Sequence, residues 1–213
     1  MLRVLPDLIE EDHVLVIQWD GMPILPDRWD DRFLDFDYIG APWYGVPDEV
    51  AVGNGGFSLR SKRFLHMVRD AGIGINLDDA TSQPEDLVIC HEHRALLQQL
   101  GANFAPIDVA RRFSFESGIP TRDVFGFHST YNFPFFLSED ELLGFADQIL
   151  VRQTNVKIVA LYLENTLRCQ MLDLFRLSLE GVVARPLLAT TLIDEIRTQS
   201  QKYPFLLAKL IAS

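Results

Sequence analysis

The stretch GNGGFSLRS, Gly53 to Ser61, decides how this chain folds. Three glycines in four residues make a turn whose backbone other groups can approach closely, because no β-carbon stands in the way. Phe57–Arg60 then reads as a short strand, and Ser61 stands where it can cap a helix over Lys62–Arg69. Twenty-four residues beyond Ser61 comes an acidic pair, Glu85–Asp86. Upstream, Val14–Trp19 (VLVIQW) reads as a buried strand that stops in the turn Asp20–Gly21. In open α/β sheets ligands collect above the strand tips, which gives Asp20 its interest. Pro26–Phe36 has the spacing of a short helix, Tyr38–Ile39 of a strand, and 40–48 is an aromatic loop rich in Pro and Gly.

Downstream, Ser82 with Glu85 is a capping-box pattern, Pro84 suits a first turn and Gly101 ends a run, so a helix is expected over 82–100. The stretches around Phe104, Phe113–Phe115 and Val124–His128 are short and aromatic, which predicts strands or extended edges. From Ser138, again paired with a Glu three residues on, long Leu-rich runs with few glycines predict an all-helical region, broken near Gly181–Pro186 and at Pro204. The expected organisation is a mixed α/β domain over 1–137 and a helical region over 138–213.

Composition narrows the function classes. With 213 residues and 48% hydrophobic content the chain can bury a sizeable core. A net charge of −11 and the lack of any basic run argue against a phosphate-backbone binder, so no nucleic-acid partner is expected. Two cysteines, Cys90 and Cys169, give neither a disulfide framework nor a thiolate zinc site, and a cytoplasmic setting follows as the expectation. The N-terminal residues lack the apolar run of a signal peptide, and no transmembrane segment is predicted. Peripheral membrane contact through the C-terminal part is left open, as is the oligomeric state.

Several residues can carry chemistry. Asp20 could hold Mg²⁺ or Mn²⁺ and through it a diphosphate, since hard cations take oxygen ligands; it could equally start a turn, as Asp-Gly often does. The turn Gly53–Asn54–Gly55–Gly56 fits neither common phosphate-loop spacing, and reads as a sugar-facing loop or as a tight connection between strands. Glu85 has a structural role available in the capping box, whereas Asp86, in the first turn of a helix, could accept a proton from a hydroxyl or simply favour the helix dipole. In Phe125–Gly126–Phe127–His128, alternation sets both Phe on one face and His128 on the other, facing a cavity if the Phe face is core; an ordinary core or surface histidine is the equal alternative. His91 and His93 point to different sides of a helix and cannot chelate one ion together. Trp43 and Tyr44 could stack on a sugar ring or pack.

Together EDHVLVIQWDG, DYIGAPWYG, VGNGGFSLRS, PEDLVICHEHR, FAPIDVARRFSFES and FGFHSTYNF resemble a bacterial family of glycosyltransferase-like domains, a domain of unknown function related to nucleotide-sugar transferases of the GT-A fold. The resemblance runs from about Glu11 to Asn132. It implies a GT-A-like mixed sheet flanked by helices and sugar transfer from a nucleotide-sugar donor to an acceptor hydroxyl, with a divalent metal. Residue by residue, Asp20 resembles the surviving carboxylate of a metal and diphosphate motif, with Gln18 where such enzymes often carry a first Asp. Asn54, Gly55 and Gly56 resemble the loop lining the donor sugar, with Trp43 beside it. Asp86 resembles the catalytic base, with Glu85 next to it, and His128 a late metal ligand. Only about a dozen residues precede VLVIQWDG, so the nucleotide-binding half is expected to be shortened, through a late start or an incomplete base pocket. Two other expectations stand beside transfer: a non-catalytic carbohydrate- or partner-binding module, and a hydrolase using Glu85 with a second carboxylate.

Overall fold

The computed structural model describes residues 4–74 and 83–212. The chain is mixed α/β, with small sheets and many helices, and divides into two compact units, Met1–His128 and Ser129–Ser213. The strands all lie in the first: β1 His13–Ile17, β2 Gly21–Pro23, β3 Tyr38–Gly40, β4 Phe57–Ser61, β5 Ser114–Phe115 and β6 Gly126–His128. Its helices are α1 Leu5–Leu8, α2 Lys62–Asp70, α3 Glu85–Leu87, α4 Arg94–Gln99 and α5 Ile107–Phe113, with a π-helical turn over Val88–Glu92.

The strands form two three-stranded sheets. In the order β1–β4–β3 both pairings are antiparallel, with β4 in the centre. The second has the order β2–β6–β5, where β6 pairs antiparallel with β2 and parallel with β5. Asp20 therefore does not end a strand of a parallel sheet. Nor is β1 the buried strand expected over Val14–Trp19: it ends at Ile17, lies at an edge, and is half-buried at His13–Val16, while Gln18 and Trp19 are exposed.

Strand alternation divides the core into two layers. Ile39, Phe57 and Leu59 face a layer with Phe33, Val109, Phe113 and Phe125, whose rings meet edge-on or tilted with centroids 5.2–5.9 Å apart. Tyr38 faces the other layer, with Phe64, Val68, Ile89, Cys90 and Leu97. Tyr38 is paired with Arg60 across β3 and β4, so Arg60 enters this second layer and is fully buried.

Several sequence expectations change in detail. Ser61 does cap α2, its hydroxyl accepting from Phe64 N at 2.9 Å. Pro26–Phe36 makes two 3-10 turns, Pro26–Arg28 and Asp31–Asp35, because extended backbone at Asp30 restarts the chain while its carboxylate accepts from Arg32 N. The single helix expected over 82–100 is instead α3, the π turn and α4, ended by Gly101 at φ +96°. Ser82 lies outside the described residues; Pro84 is the N-cap and the Glu85 side chain turns to Arg60. Phe113 ends a helix, not a strand, since Pro106 opens α5 and Val109, Ala110 and Phe113 bury one face.

The second unit is helical throughout: α6 Phe133–Phe136, α7 Glu139–Leu143, α8 Ala146–Arg152, α9 Val156–Arg168, α10 Leu172–Val183, α11 Pro186–Thr198 and α12 Pro204–Ala212. It begins at Ser129 and not at 138, because the segment before Ser138 is tied to the helices that follow: Asn165 of α9 donates to the Tyr131 carbonyl at 2.8 Å, and Gln153, at the end of α8, to Thr130 at 3.2 Å. The capping box at Ser138 and Glu141 is formed. Gly181 sits inside α10 and allows Leu150 to pack against it, so the break falls at Ala184–Arg185, and Pro186 and Pro204 open the next two helices. No helix among the described residues is long and apolar enough to cross a membrane.

Candidate functional site

The glycine turn is the joint of the first unit. The Tyr38 hydroxyl donates from below to the carbonyl of Gly53 at 2.8 Å, and the Asn54 side chain folds back to accept from Gly56 N at 3.1 Å. At Gly55 and Gly56 the backbone φ is negative, so these glycines are needed for space and not for a left-handed turn. A β-carbon on Gly56 would lie 2.0 Å from Nε2 of His128, and one on Gly55 would lie 2.9 Å from Cβ of Asp86. What approaches this turn is the protein's own side chains, and two separated functional groups are seated on adjacent residues.

On the Gly56 side stands His128. It ends β6, the central strand of its sheet, and the strand registers determine its neighbours. Gly21 pairs with His128 across β2, which brings the preceding residue, Asp20, alongside. Phe115 pairs with Phe127 across β5, so the next step along both strands sets Glu116 beside His128. The His128 Nε2 lies 3.3 Å from Asp20 Oδ1 and 3.2 Å from Gln18 Oε1, and Nδ1 lies 3.1 Å from Glu116 Oε1. Gln18 is brought in because its backbone N–H donates to the Gly56 carbonyl at 2.8 Å. Burial by itself would lower the imidazole pKa, but the Asp20 and Glu116 carboxylates outweigh it and raise it to about 9.

On the Gly55 side stands the acidic pair. Asp86 accepts from Gly55 N at 3.0 Å through one oxygen and from Leu87 N at 2.9 Å through the other, which fixes the carboxylate and leaves each oxygen further lone pairs. Glu85 is held by both terminal nitrogens of Arg60. That guanidinium also donates through Nε to Ser58 at 3.0 Å and lies 5.3 Å from the centre of the Tyr38 ring. Burial opposes its charge, yet Tyr38 and Glu85 prevail and its pKa is raised. A second buried arginine, Arg94, donates to the Val52 carbonyl at 2.8 Å and stacks over Phe104. Burial pushes the Cys90 thiol up to about 12, so it stays protonated and is no nucleophile at neutral pH.

The expected residues Gln18, Asp20, Asn54, Gly55, Gly56, Glu85, Asp86 and His128 thus meet around one turn. Trp43 packs with its indole against Gly53, where a β-carbon would fall 2.3 Å from the ring. Sequence reasoning missed Arg60 and Glu116. An Arg inside a short apolar strand must find an acid once buried, which was a usable signal; Glu116 is joined to His128 by a strand pairing that no local pattern reveals.

As a cation site, Asp20, Gln18 and His128 offer two oxygens and an imidazole nitrogen at one point, while Glu116 engages the other ring nitrogen, the arrangement that orients metal-bound histidines. Among the described residues no group of three or more His, Cys, Asp or Glu is gathered for a metal. His128 stays protonated at neutral pH between Asp20 and Glu116, so a hard cation such as Mg²⁺ or Mn²⁺ held by Asp20 and Gln18 would engage the imidazole only by displacing its proton.

Fold and site together define a mixed α/β domain with a polar centre built on a glycine turn. A family model described as "Protein of unknown function (DUF5672)" matches residues 6–128, more than half of the chain, and the chain belongs to that family. The match ends where the first compact unit ends. No curated protein and no solved structure matches the chain.

Proposed function

We propose that the first unit is a GT-A-like glycosyltransferase domain that moves a sugar from a nucleotide-sugar donor to an acceptor hydroxyl. The observation that carries this is the seating of Asp86 and of the Asp20–Gln18–His128 set on the adjacent residues Gly55 and Gly56. Asp20, His128 and Gln18 would hold Mn²⁺ or Mg²⁺, which when bound supplies charge stabilisation to a leaving diphosphate. Glu116 fixes the orientation of His128. Asp86, aimed by two backbone N–H groups, takes the acceptor hydroxyl's proton as the anomeric carbon gains oxocarbenium character. Glu85 is occupied by Arg60 and supports the helix turn that presents Asp86, so it positions and does not react.

Thermal melting of the chain against UDP, GDP, CDP and dTDP, each with and without Mn²⁺ or Mg²⁺, tests this. At about 100 times its dissociation constant a ligand adds roughly 2.7 kcal/mol, a shift of a few degrees. A metal-dependent shift with one nucleotide, lost in His128→Ala and kept in Asp86→Asn, is expected, with turnover in Asp86→Asn reduced by about 100-fold or more. No shift with any nucleotide points to a non-catalytic carbohydrate-binding module, and sugar release without a nucleotide donor to a hydrolase.

A further inference from the structure

The first unit also holds a cavity of about 410 Å³ between the loop at Pro42–Asp48 and the segment Ser114–Thr121, with Ile107 and Arg111 of α5 among its lining. We infer that this cavity is the acceptor subsite and takes a pyranoside ring. The inference rests on the transfer proposed above.

Of its three aromatic residues, Trp43, Tyr44 and Phe115, the first two are on the loop. The Trp43 backbone N–H donates to the Ala51 carbonyl at 2.8 Å, closing the loop, and its indole rests on Gly53. Tyr44 donates its backbone N–H to Ser117 Oγ at 3.3 Å, and Gly118, at φ +99°, lies so close that a β-carbon would come within 3.2 Å of the tyrosine ring. Yet Tyr44 remains 80% exposed. An ordered aromatic ring at a cavity rim offers a flat apolar face at little further entropic cost.

The polar groups select the kind of ligand. Arg111, Asp48 and Glu116 line the same space. Both signs of charge are present, so neither a simple anion nor a purely apolar molecule matches the walls. A pyranoside does, with C–H faces for Trp43 and Tyr44 and hydroxyls at its edge, and the volume lies within the range of small-ligand sites. Two residues join the cavity to the chemistry: Glu116 holds His128, and Trp43 rests on the glycine turn. Through these two residues the cavity adjoins His128 and the glycine turn that carries Asp86.

The test is a ¹H–¹⁵N NMR titration of the full chain with methyl glycosides of glucose, galactose, mannose and N-acetylglucosamine, and separately with the four nucleoside diphosphates and Mn²⁺-free Mg²⁺. Saturable shifts of the Trp43 indole N–H and the Gly118 amide with at least one glycoside are expected, weakened about 10-fold in Tyr44→Ala, whose exposed ring leaves the fold intact. Glycoside shifts without any nucleotide binding uphold the cavity and overturn transfer. Nucleotide binding with no glycoside response, or with glycoside shifts elsewhere that Tyr44→Ala leaves unchanged, overturns the acceptor subsite and leaves transfer standing.

Discussion

The two units solve the problem of internal polarity in opposite ways. The first buries four charged side chains, Asp20, Asp37, Arg60 and Arg94, around a few short strands. Among the described residues of the second, Glu164 is the one buried charge. It lies on α9 and accepts from Phe205 N at 3.1 Å and Leu206 N at 2.9 Å, so it caps the start of α12 from a distance. Glu139 does the same for α10, accepting from Asp173 N and Leu174 N. In the helical unit, carboxylates satisfy orphan backbone groups around an apolar core of Leu163, Phe175, Leu192 and Ile196. In the first unit, Asp20 and Arg60 meet opposite charges at the candidate site, Asp37 meets Arg63 away from it, and Arg94 is held by the Val52 carbonyl and the Phe104 ring.

This difference can be broken experimentally, and the probes separate naturally because all three tryptophans, Trp19, Trp29 and Trp43, lie in the first unit. The largest effect is expected for Arg60→Met. It strands Glu85 and frees the Gly55 turn, at about 4 kcal/mol, read as an early transition in urea by tryptophan fluorescence. Retention of the wild-type midpoint would mean that the buried pair contributes nothing net.

Next comes pH. The His128 pKa is raised to about 9 from an ordinary 6.5, so its stabilisation is complete below about 6.5 and is lost as pH rises through about 9. Tryptophan-detected stability should fall by on the order of 3 kcal/mol across that window, and His128→Gln should flatten the profile. A profile identical in wild type and variant would remove the two carboxylates as the cause.

Glu164→Ala should cost about 2 kcal/mol by leaving two helix-start N–H groups without a partner. Amide exchange should accelerate first at Phe205 and Leu206, while tryptophan fluorescence stays at its native value; equal acceleration throughout would show that α12 has no separate stability. The smallest change is expected for Ser138→Ala, about 1 kcal/mol, visible as fraying of α7 by amide exchange.

How legible this was from residues alone depended on distance along the chain. Ser61 and Ser138 were readable as caps because the bond closes within three residues. The π turn was not, since its register follows from burying Val88, Ile89 and Cys90 together under Tyr38 and Phe64. The helix of α5 is masked in the sequence by the aromatic residues at its end, although Pro106 opens it. At the site, Asp20, Asp86 and His128 stood out by residue type and neighbours, while Arg60 and Glu116 did not, because their partners arrive from 25 and 12 residues away.

By itself the sequence determined the local geometry: where glycines leave room, where hydroxyls cap helices, where prolines open them, and that the last third is helical. These outcomes depend on backbone sterics and on hydrogen bonds between near neighbours, which any chain with those residues must obey. Only the tertiary structure decided which groups share the glycine turn. That depends on the pairing of β6 with β2 and β5 and of β4 with β3, contacts between distant residues selected by how the aromatic layers pack and by the need of buried charges for hydrogen-bond partners.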